Sequence, residues 1–230
     1  MKQVKEWWLP DWDTHFEDHL KKENTKYTYQ QMQRDYALSY CEKHDIALDI
    51  GANIGFWSKD LCSMFENVIA FEPHPENVEC YKQNLDDYKN YVLCSFALSN
   101  KINSQGQLFT SKSNSGNAGL NKDGVIGGET EITSEIQDRI ITCDVDTLDN
   151  FIKSFTNRSV DFIKIDVQGY ELEVLEGGVE LLKNYSPVLC LELPLRNEKE
   201  KEYSQKVTSL LGQLGYTKRG NSKKETIFTK

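Results

Sequence analysis

The sequence contains no apolar run long enough to cross a bilayer, and its N-terminus lacks a signal-peptide core. We therefore expect a soluble protein and predict a cytoplasmic location. Basic residues are outnumbered, since 27 Lys and Arg stand against 36 Asp and Glu and leave a net charge of −9. Because an acidic chain is repelled by polyphosphate, neither nucleic acid nor an anionic membrane surface is an expected partner.

The cysteines form no CysxxCys pair. The six lie far apart, at positions 41, 62, 80, 94, 143 and 190, mostly in apolar stretches. Buried free thiols are the expected state of such cysteines in a reducing compartment. The chain has 230 residues, 38% hydrophobic and 27% charged, which is typical of one fairly large globular domain.

A strand, a glycine turn and a helix start follow one another at ALDIGANIGF, residues 47–56. The apolar run ends at Ile50, and the turn contains Gly51 and Gly55. Glycine permits the sharp turn and lets the backbone approach a ligand where a Cβ would collide, while the new helix presents unpaired N–H groups. This pattern indicates a nucleotide-type binding site.

Two acids narrow the choice of ligand. Asp49 lies in the first strand, and Glu72 follows the next apolar run, VIAF at 68–71. A carboxylate at the end of the second strand suits the hydroxyls of a ribose, whereas Asp49 would repel a phosphate and attract an ammonium group. The GlyxGlyxxGly fingerprint of dinucleotide sites is missing, because three residues separate Gly51 from Gly55. S-adenosylmethionine, with a ribose and an amino-acid end, satisfies both acids.

Two later apolar runs also end in acids. The runs at 161–166 and 187–192 place Asp166 and Glu192 at the ends of predicted strands. In open α/β sheets, ligands bind outside the carboxyl ends of the strands. We therefore expect these two acids to meet Asp49 and Glu72 on one rim of the sheet, which is the candidate active site.

Strands and helices alternate along most of the remaining chain. We predict a third strand with its exit loop at 91–98, a further strand at 139–143, helices at 29–43, 75–88, 146–152, 170–184 and 197–214, and a hairpin at 216–229. This alternation predicts an α/β fold. We divide the chain into an N-terminal arm and helix, residues 1–44, that packs on the core, and a ligand-binding domain, residues 45–230.

Two segments break the alternation. Residues 1–28 are predicted to be irregular and form an aromatic arm, which either packs across the main domain or supplies a wall for a sugar ring. Residues 99–138 are polar and rich in Gly, Ser and Asn, and they are predicted to form a long loop. Such a loop is either a mobile lid or an uninformative insertion.

Several motifs together resemble one family. DIGANIG at 49–55, FEPHPE at 71–76 and above all FIKIDVQGYELEVLEGG at 162–178 resemble the FkbM family of S-adenosylmethionine-dependent methyltransferases over residues 45–193. The resemblance implies a class I methyltransferase fold, a Rossmann-like α/β architecture with a seven-stranded, mostly parallel sheet flanked by helices and an antiparallel final strand. It also implies O-methylation of a hydroxyl group on a sugar, a glycan or a related small molecule.

The resemblance also implies roles for individual residues. It places Asp49, Gly51, Asn53 and Gly55 around the methionine and ribose of the cofactor, with Glu72 on the ribose hydroxyls. Ser95 and Phe96, after the third strand, are placed near the adenine. The family commonly has Glu where this chain has Gln168, so one charge is missing near the expected site.

Methyl transfer to an oxygen requires alignment of the nucleophile and removal of its proton. Asp166 is the first candidate for the base or for an orienting acceptor, and it is also assigned to cofactor binding. Glu192 lies on the same predicted rim, and His15 is a candidate base if the arm folds over the site. Together with Asp166 and Glu192, Glu171 could hold a divalent cation or could instead cap a helix; we assign no metal.

Three competing functions remain. A nicotinamide-dependent oxidoreductase shares the strand and turn plan, although the glycine spacing argues against it. A nucleic-acid methyltransferase would need a basic face. A non-catalytic S-adenosylmethionine-binding module stays open because Gln168 departs from the family pattern. The acceptor and the oligomeric state are not predicted.

Overall fold

The computed structural model describes residues 1–22, 29–122, 140–153, 158–193, 195, 197–222 and 225–230. Its strands are β1 Lys2–Val4, β2 Trp7–Leu9, β3 Ile46–Ile50, β4 Asn67–Phe71, β5 Tyr91–Cys94, β6 Ala97–Leu98, β7 Ser104–Thr110, β8 Ala118–Gly119, β9 Ile140–Asp146, β10 Val160–Ile165, β11 Val188–Glu192, β12 Thr217–Ser222 and β13 Glu225–Thr229. Its helices are α1 His15–Lys22, α2 Gln31–Leu38, α3 Phe56–Cys62, α4 Pro75–Asn84, α5 Leu148–Ile152, α6 Glu171–Glu176, α7 Val179–Tyr185 and α8 Glu198–Gln213.

The central sheet has seven strands in the order β12-β13-β11-β10-β3-β4-β5. Pairs from β11 through β5 are parallel, and β13 runs antiparallel to both of its neighbours. Strands β3 and β10 are almost wholly buried apolar runs because the sheet is covered on both faces. The strand order reverses between β3 and β10, which opens a crevice at their carboxyl ends. The predicted fold class is confirmed.

The segment predicted as a loop at 99–138 contains two strands. β7 pairs antiparallel with both β9 and β8, and β6 adds to β9, so that these four strands form a second sheet. The long-loop prediction was therefore wrong for residues 104–110 and 118–119, and residues 123–139 lie outside the described part of the chain. The strand predicted within 91–98 ends at Cys94, and the last residues of that segment join the second sheet as β6.

The N-terminal arm is more regular than predicted. Strands β1 and β2 form a hairpin, and α1 follows, whereas an irregular segment was expected up to residue 28. Trp7 packs on Phe56 with ring centroids 4.4 Å apart, and the backbone of Trp8 is hydrogen-bonded to Asn84 on α4. The indole of Trp12 donates to Glu76 at 2.8 Å. These three tryptophans hold the arm against α3 and α4.

One predicted helix is divided in two. The segment 170–184 forms α6 and α7, which are separated by Gly177 and Gly178. A Cβ on Gly177 would lie 2.0 Å from the carbonyl oxygen of Ser99, so the chain passes too closely there for any side chain. The two glycines therefore allow α6 to end against the start of the second sheet.

The cysteines are free thiols. Five of them are buried and Cys41 is partly buried, as predicted. Among the described residues, no helix is long and apolar enough to cross a membrane.

Candidate active site

Two cavities open at the carboxyl ends of the central strands and share Gly51 and Asp166 in their walls. The first is narrow and largely apolar, and its lining includes Phe71, Glu72, Phe96, Leu108, Leu120 and Val167. The second is polar, and its lining includes His15, Tyr29, Asn53, Lys164, Gln168 and Glu192. The shared residues mean that ligands in the two cavities would meet at the ends of β3 and β10.

The turn after β3 brings the backbone unusually close to its neighbours. Gly51 has φ +80°, and a Cβ there would lie 1.9 Å from the carbonyl oxygen of Asp166. Gly55 has φ +97°, and a Cβ would meet the side chain of Leu85 at 2.4 Å. Both positions therefore require glycine. Asn53 also adopts a left-handed conformation, with φ 51°.

Glu72 lies in the wall of the first cavity and is only 4% exposed. Its carboxylate accepts hydrogen bonds from the backbone N–H groups of Asn53 at 2.8 Å and His74 at 2.9 Å, and from the Asn77 side chain at 3.3 Å. Burial outweighs these bonds and raises the pKa of Glu72 to about 7. The hydrogen bonds fix the orientation of the Glu72 carboxyl group and offset part of the cost of removing it from water.

Lys164 is a buried cation at the base of the second cavity. Its Nζ lies 3.5 Å from Asp49 and 3.7 Å from Asp166, and it donates to the carbonyl oxygen of Gly51 at 3.2 Å. Burial opposes the charge, but Asp49 and Asp166 outweigh burial and hold the pKa of Lys164 above its ordinary value. Lys164 is therefore protonated at neutral pH, and it connects the ends of β3 and β10 electrostatically.

Asp49 lies behind the cavities. It is fully buried, and its other carboxylate oxygen accepts a hydrogen bond from Ser58 on α3 at 2.6 Å. Among the described residues that line the two cavities, Asp49 does not occur. In this structure its contacts are with Lys164 and Ser58, so its expected role at the cofactor would be exerted through Lys164.

Asp166 is held by its own loop. Gln168, at φ 56°, donates from Nε2 to Asp166 Oδ1 at 2.7 Å. Oδ2 faces Lys164. Asp166 is partly exposed, with 21% of its side chain accessible. Its carboxylate therefore meets both cavities while an amide and an ammonium fix its direction.

Glu171 is hydrogen-bonded to the backbone of the loop that contains Asp166 and Gln168. It is 1% exposed, and its Oε1 accepts from the backbone N–H groups of Val167 at 3.3 Å and Gly169 at 3.1 Å. Both N–H groups belong to the loop before α6, so these bonds order the loop rather than cap the helix, and the buried side chain is not solvated. Burial, reinforced by the nearby charge of Asp166, raises the pKa of Glu171 to about 7.

Glu171→Gln should flatten the pH dependence of stability. The folded protein holds this carboxyl proton up to about pH 7, whereas the unfolded chain releases it near 4.5, so stability should fall as the pH rises between those values. Glutamine keeps the accepting oxygen and removes the titration. We expect similar stability at pH 5 and a gain of about 1–2 kcal/mol at pH 8 in urea unfolding.

The matched control is Glu180→Gln, because Glu180 is exposed on α7 and pairs only with Lys183 at the surface. It should follow the wild-type profile. Equal pH profiles for Glu171→Gln and wild type would show that the buried carboxyl does not titrate in this range.

Glu192 ends β11 opposite Glu225 on β13. Burial, followed by the charges of Glu192 and Asp166, raises the pKa of Glu225 to about 7. Within the described ranges, no group of three His, Cys, Asp or Glu residues is arranged to hold a metal ion.

The other predicted residues divide between the cavities and the surroundings. His15 is exposed at the start of α1 and lines the second cavity, together with Asn53. Phe96 lines the first cavity, whereas the adjacent Ser95 is exposed and lies outside the lining of either cavity.

Sequence reasoning missed Lys164, Tyr29 and Trp57, which all line the second cavity. The signal for Lys164 was a single cation inside the otherwise apolar FIKI run. The indole of Trp57 donates to Gln30 at 2.6 Å and lies beneath Lys164 Nζ, 5.7 Å from it. No local pattern distinguishes such an aromatic residue on α3 from a core residue.

A family model described as the methyltransferase FkbM domain matches residues 49–218. The chain belongs to the FkbM methyltransferase family. A curated relative, the hexuronic acid methyltransferase AglP of Haloferax volcanii, is 29% identical over 154 residues, which cover 66% of this chain and 57% of that protein. The match thus spans little more than half of the relative. The predicted family is confirmed.

Two solved structures share the FkbM chain's architecture. The FkbM methyltransferase of Methylobacillus flagellatus KT superposes with a TM-score of 0.52 at 15% identity, covering 81% of this chain and 44% of that one. SMU.1697c of Streptococcus mutans, solved in complex with SAH, gives a TM-score of 0.50 at 12% identity, covering 86% and 94%. At such identities the likeness concerns the fold alone.

Gln168 gives this FkbM chain a particular arrangement beside Asp166. The family resemblance implies Glu at this position, and a carboxylate there would add a second negative charge near Asp166. The amide instead donates a hydrogen bond to Asp166. The exchange therefore removes a repulsion and orients the remaining carboxylate.

Proposed function

We propose that this protein is an S-adenosylmethionine-dependent methyltransferase that methylates a hydroxyl group of a sugar or glycan. The observation that carries the proposal is the meeting of a narrow apolar cavity and a polar cavity at Gly51 and Asp166. A methyl donor in one cavity and an acceptor in the other would approach each other at that junction. The residues lining each cavity support these two assignments.

The first cavity fits the nucleoside part of the cofactor. Phe71, Phe96 and Leu108 offer apolar surface for a base, and the Glu72 carboxyl offers oxygens for ribose hydroxyls. The bonds to Asn53 and His74 hold Glu72 in place without a ligand. The close approach of Gly51 to Asp166 keeps the floor of the junction free of side chains.

The second cavity fits a polyhydroxylated acceptor and the amino-acid end of the cofactor. Its wall combines amide side chains, among them Gln30, Asn53 and Gln168, with the aromatic side chains of Tyr29 and Trp57. Amides bind hydroxyls in either direction, and aromatic faces pack on sugar rings. The hexuronic acid named for AglP supports a sugar acceptor by analogy.

The bound cofactor supplies an electrophilic methyl group. The chain supplies orientation and a proton acceptor. Asp166 Oδ2 is the proposed acceptor for the hydroxyl proton, and the contacts with Lys164 and Gln168 fix the direction of the carboxyl group. A carboxylate accepts such a proton late, as the oxygen becomes acidic during attack. Glu192 and His15 lie in the same wall and are the alternative bases.

The first experiment is calorimetric titration of the wild-type protein with S-adenosylmethionine, SAH and NAD. Micromolar binding of the first two and no binding of NAD would support the cofactor. Preference for NAD would favour an oxidoreductase. A glycan screen for methyl transfer then separates an enzyme from a non-catalytic binding module, since only the enzyme turns over.

Glu72→Gln should weaken SAH binding by about tenfold or more, because a charge-assisted bond to a ribose hydroxyl is worth about 1.5–3 kcal/mol. Thermal unfolding monitors whether the variant folds. Glu76→Gln is the matched control, since Glu76 contacts Trp12 and does not line either of the two cavities. Wild-type affinity in Glu72→Gln would place the ribose elsewhere.

A further inference from the structure

One segment contributes residues to the walls of both cavities. Residues 113–121, here named the strap, contribute Asn114, Gly116 and Asn117 to the second cavity. The following residues, 118–120, line the first cavity. The strap therefore crosses the junction at which the two proposed ligands meet.

The C-terminal end of the strap is fixed by the second sheet and by the loop after β10. Gly119 pairs with Phe109 in the second sheet, and Asn121 Nδ2 donates to the carbonyl oxygen of Gly169 at 2.9 Å. The other end is fixed by the N-terminal arm. The backbone N–H groups of Thr14 and His15 donate to the carbonyl oxygen of Ser113 at 3.0 and 2.9 Å.

Asp13 is the charged member of this second attachment. It is 0% exposed, and its two carboxylate oxygens serve two different segments. Oδ1 accepts from the N–H of Phe16 at 2.7 Å and caps the start of α1, while Oδ2 accepts from the N–H of Ser115 at 2.7 Å. Charge-assisted bonds of this length are about twice as strong as neutral ones.

Ser115 connects Asp13 to Glu72 in the wall of the first cavity. Its carbonyl oxygen accepts from Asn77 Nδ2 at 3.1 Å, and the same amide nitrogen lies 3.3 Å from the Glu72 carboxylate. The Ser115 hydroxyl is within 3.3 Å of the Asn53 side chain, and Ser115 itself is 1% exposed. One buried network thus connects Asp13, the strap and the proposed ribose carboxylate.

We propose that Asp13 is a positioning residue that holds the strap closed over both cavities. The inference rests on the proposed function for its ligand but on the network for its geometry. Asp13 touches no reacting atom; it acts through Ser115. Because the strap is attached on both sides of the junction, a bound cofactor leaves only when the strap lifts, and the Asp13 contact sets how often this happens.

Asp13→Asn tests the proposal. Asparagine keeps one oxygen to cap α1 at Phe16, but its amide nitrogen would face the N–H of Ser115 and cannot accept from it. We expect SAH to dissociate about tenfold faster in stopped-flow displacement, and its association, which passes the same strap, should also become faster. Hydrogen exchange at the amides of residues 113–117 should accelerate in the ligand-free variant. Asp11→Asn is the control, because Asp11 is exposed and pairs with the N-terminal amine.

The outcomes separate the two proposals. If wild type binds no SAH, the proposed cofactor is wrong, and strap exchange in Asp13→Asn alone decides whether Asp13 holds the strap. If SAH binds and leaves Asp13→Asn at the wild-type rate, the role of Asp13 is refuted. Asp13→Ser, which retains a helix cap but is too short to reach Ser115 as well, replaces Asp13→Asn if that variant fails to fold.

Discussion

Lys164→Met should lower the free energy of unfolding by about 3–5 kcal/mol at neutral pH. The lysine is 7% exposed and faces two carboxylates, of which Asp49 is fully buried. Removing the cation leaves the Asp49 carboxyl buried without its ionic partner. Methionine has a similar length and apolar stem, so packing against Trp57 is largely kept and the lost charge dominates the effect.

Urea unfolding of the wild type and variant measures the difference. Asp49→Asn in the Lys164→Met background should recover much of the loss, because the double variant no longer contains an unpaired buried charge. The control is Lys201→Met, whose exposed pair with Glu198 should be worth less than about 1 kcal/mol. A loss under about 1 kcal/mol for Lys164→Met would show that the buried contact between Lys164 and Asp49 does not stabilise the fold.

The pH dependence of the wild type provides a second check. Since Asp49 and Asp166 hold the pKa of Lys164 above its ordinary value, its contribution is complete at neutral pH. It should be lost progressively as the pH rises above 10.5, where the lysine of the unfolded chain releases its proton. Lys164→Met should therefore lose less stability than wild type above about pH 10.

The central strands were predictable because their patterns are local. VIAF and FIKI are short apolar runs that end in acids, and the structure places strands at Asn67–Phe71 and Val160–Ile165. The glycine turn was predictable for the same reason, since only glycine tolerates the conformation at Gly51. The ends of parallel strands share one edge, so the approximate site followed from the topology.

The elements that the sequence did not reveal depend on distant contacts. β7 begins with SQGQ, which has no apolar side chain on either face, and it exists because it pairs with β9 some thirty residues later. The hairpin of the arm is likewise stabilised by contacts with α4 rather than by its own pattern. Tertiary pairing overrides weak local propensity in both cases.

The sequence predicted which edge of the sheet holds the site, but it did not predict which acids line the cavities. Periodicity indicates where strands end, but it does not distinguish an acid in the cavity wall from one behind it, so Asp49 and Asp166 were indistinguishable. In the structure Lys164 lies between the two acids and contacts both, and only Asp166 is in the cavity walls. Likewise, the arm's tryptophans pack on α3 and α4, while His15 and Phe16 line the cavity.

Asp166→Asn should reduce turnover by about 10²–10⁴-fold, the usual contribution of a positioned general base. The substitution keeps the shape of the side chain, and its Oδ1 can still accept from Gln168. The amide nitrogen cannot accept a proton, and it would face Lys164 Nζ without attraction. Asp166 lines both cavities, but the proposed ribose contact is made by Glu72, so cofactor affinity should change little.

Initial rates with the best acceptor from the glycan screen, together with SAH titration, separate these two effects. A large fall in kcat with SAH affinity within about threefold of wild type identifies Asp166 as the base. Asp144→Asn on β9 is the matched control, because Asp144 is exposed and outside both cavities. If Asp166→Asn turns over at the wild-type rate, the carboxylate only orients its loop, and His15 and Glu192 become the groups to substitute next, since both line the acceptor cavity.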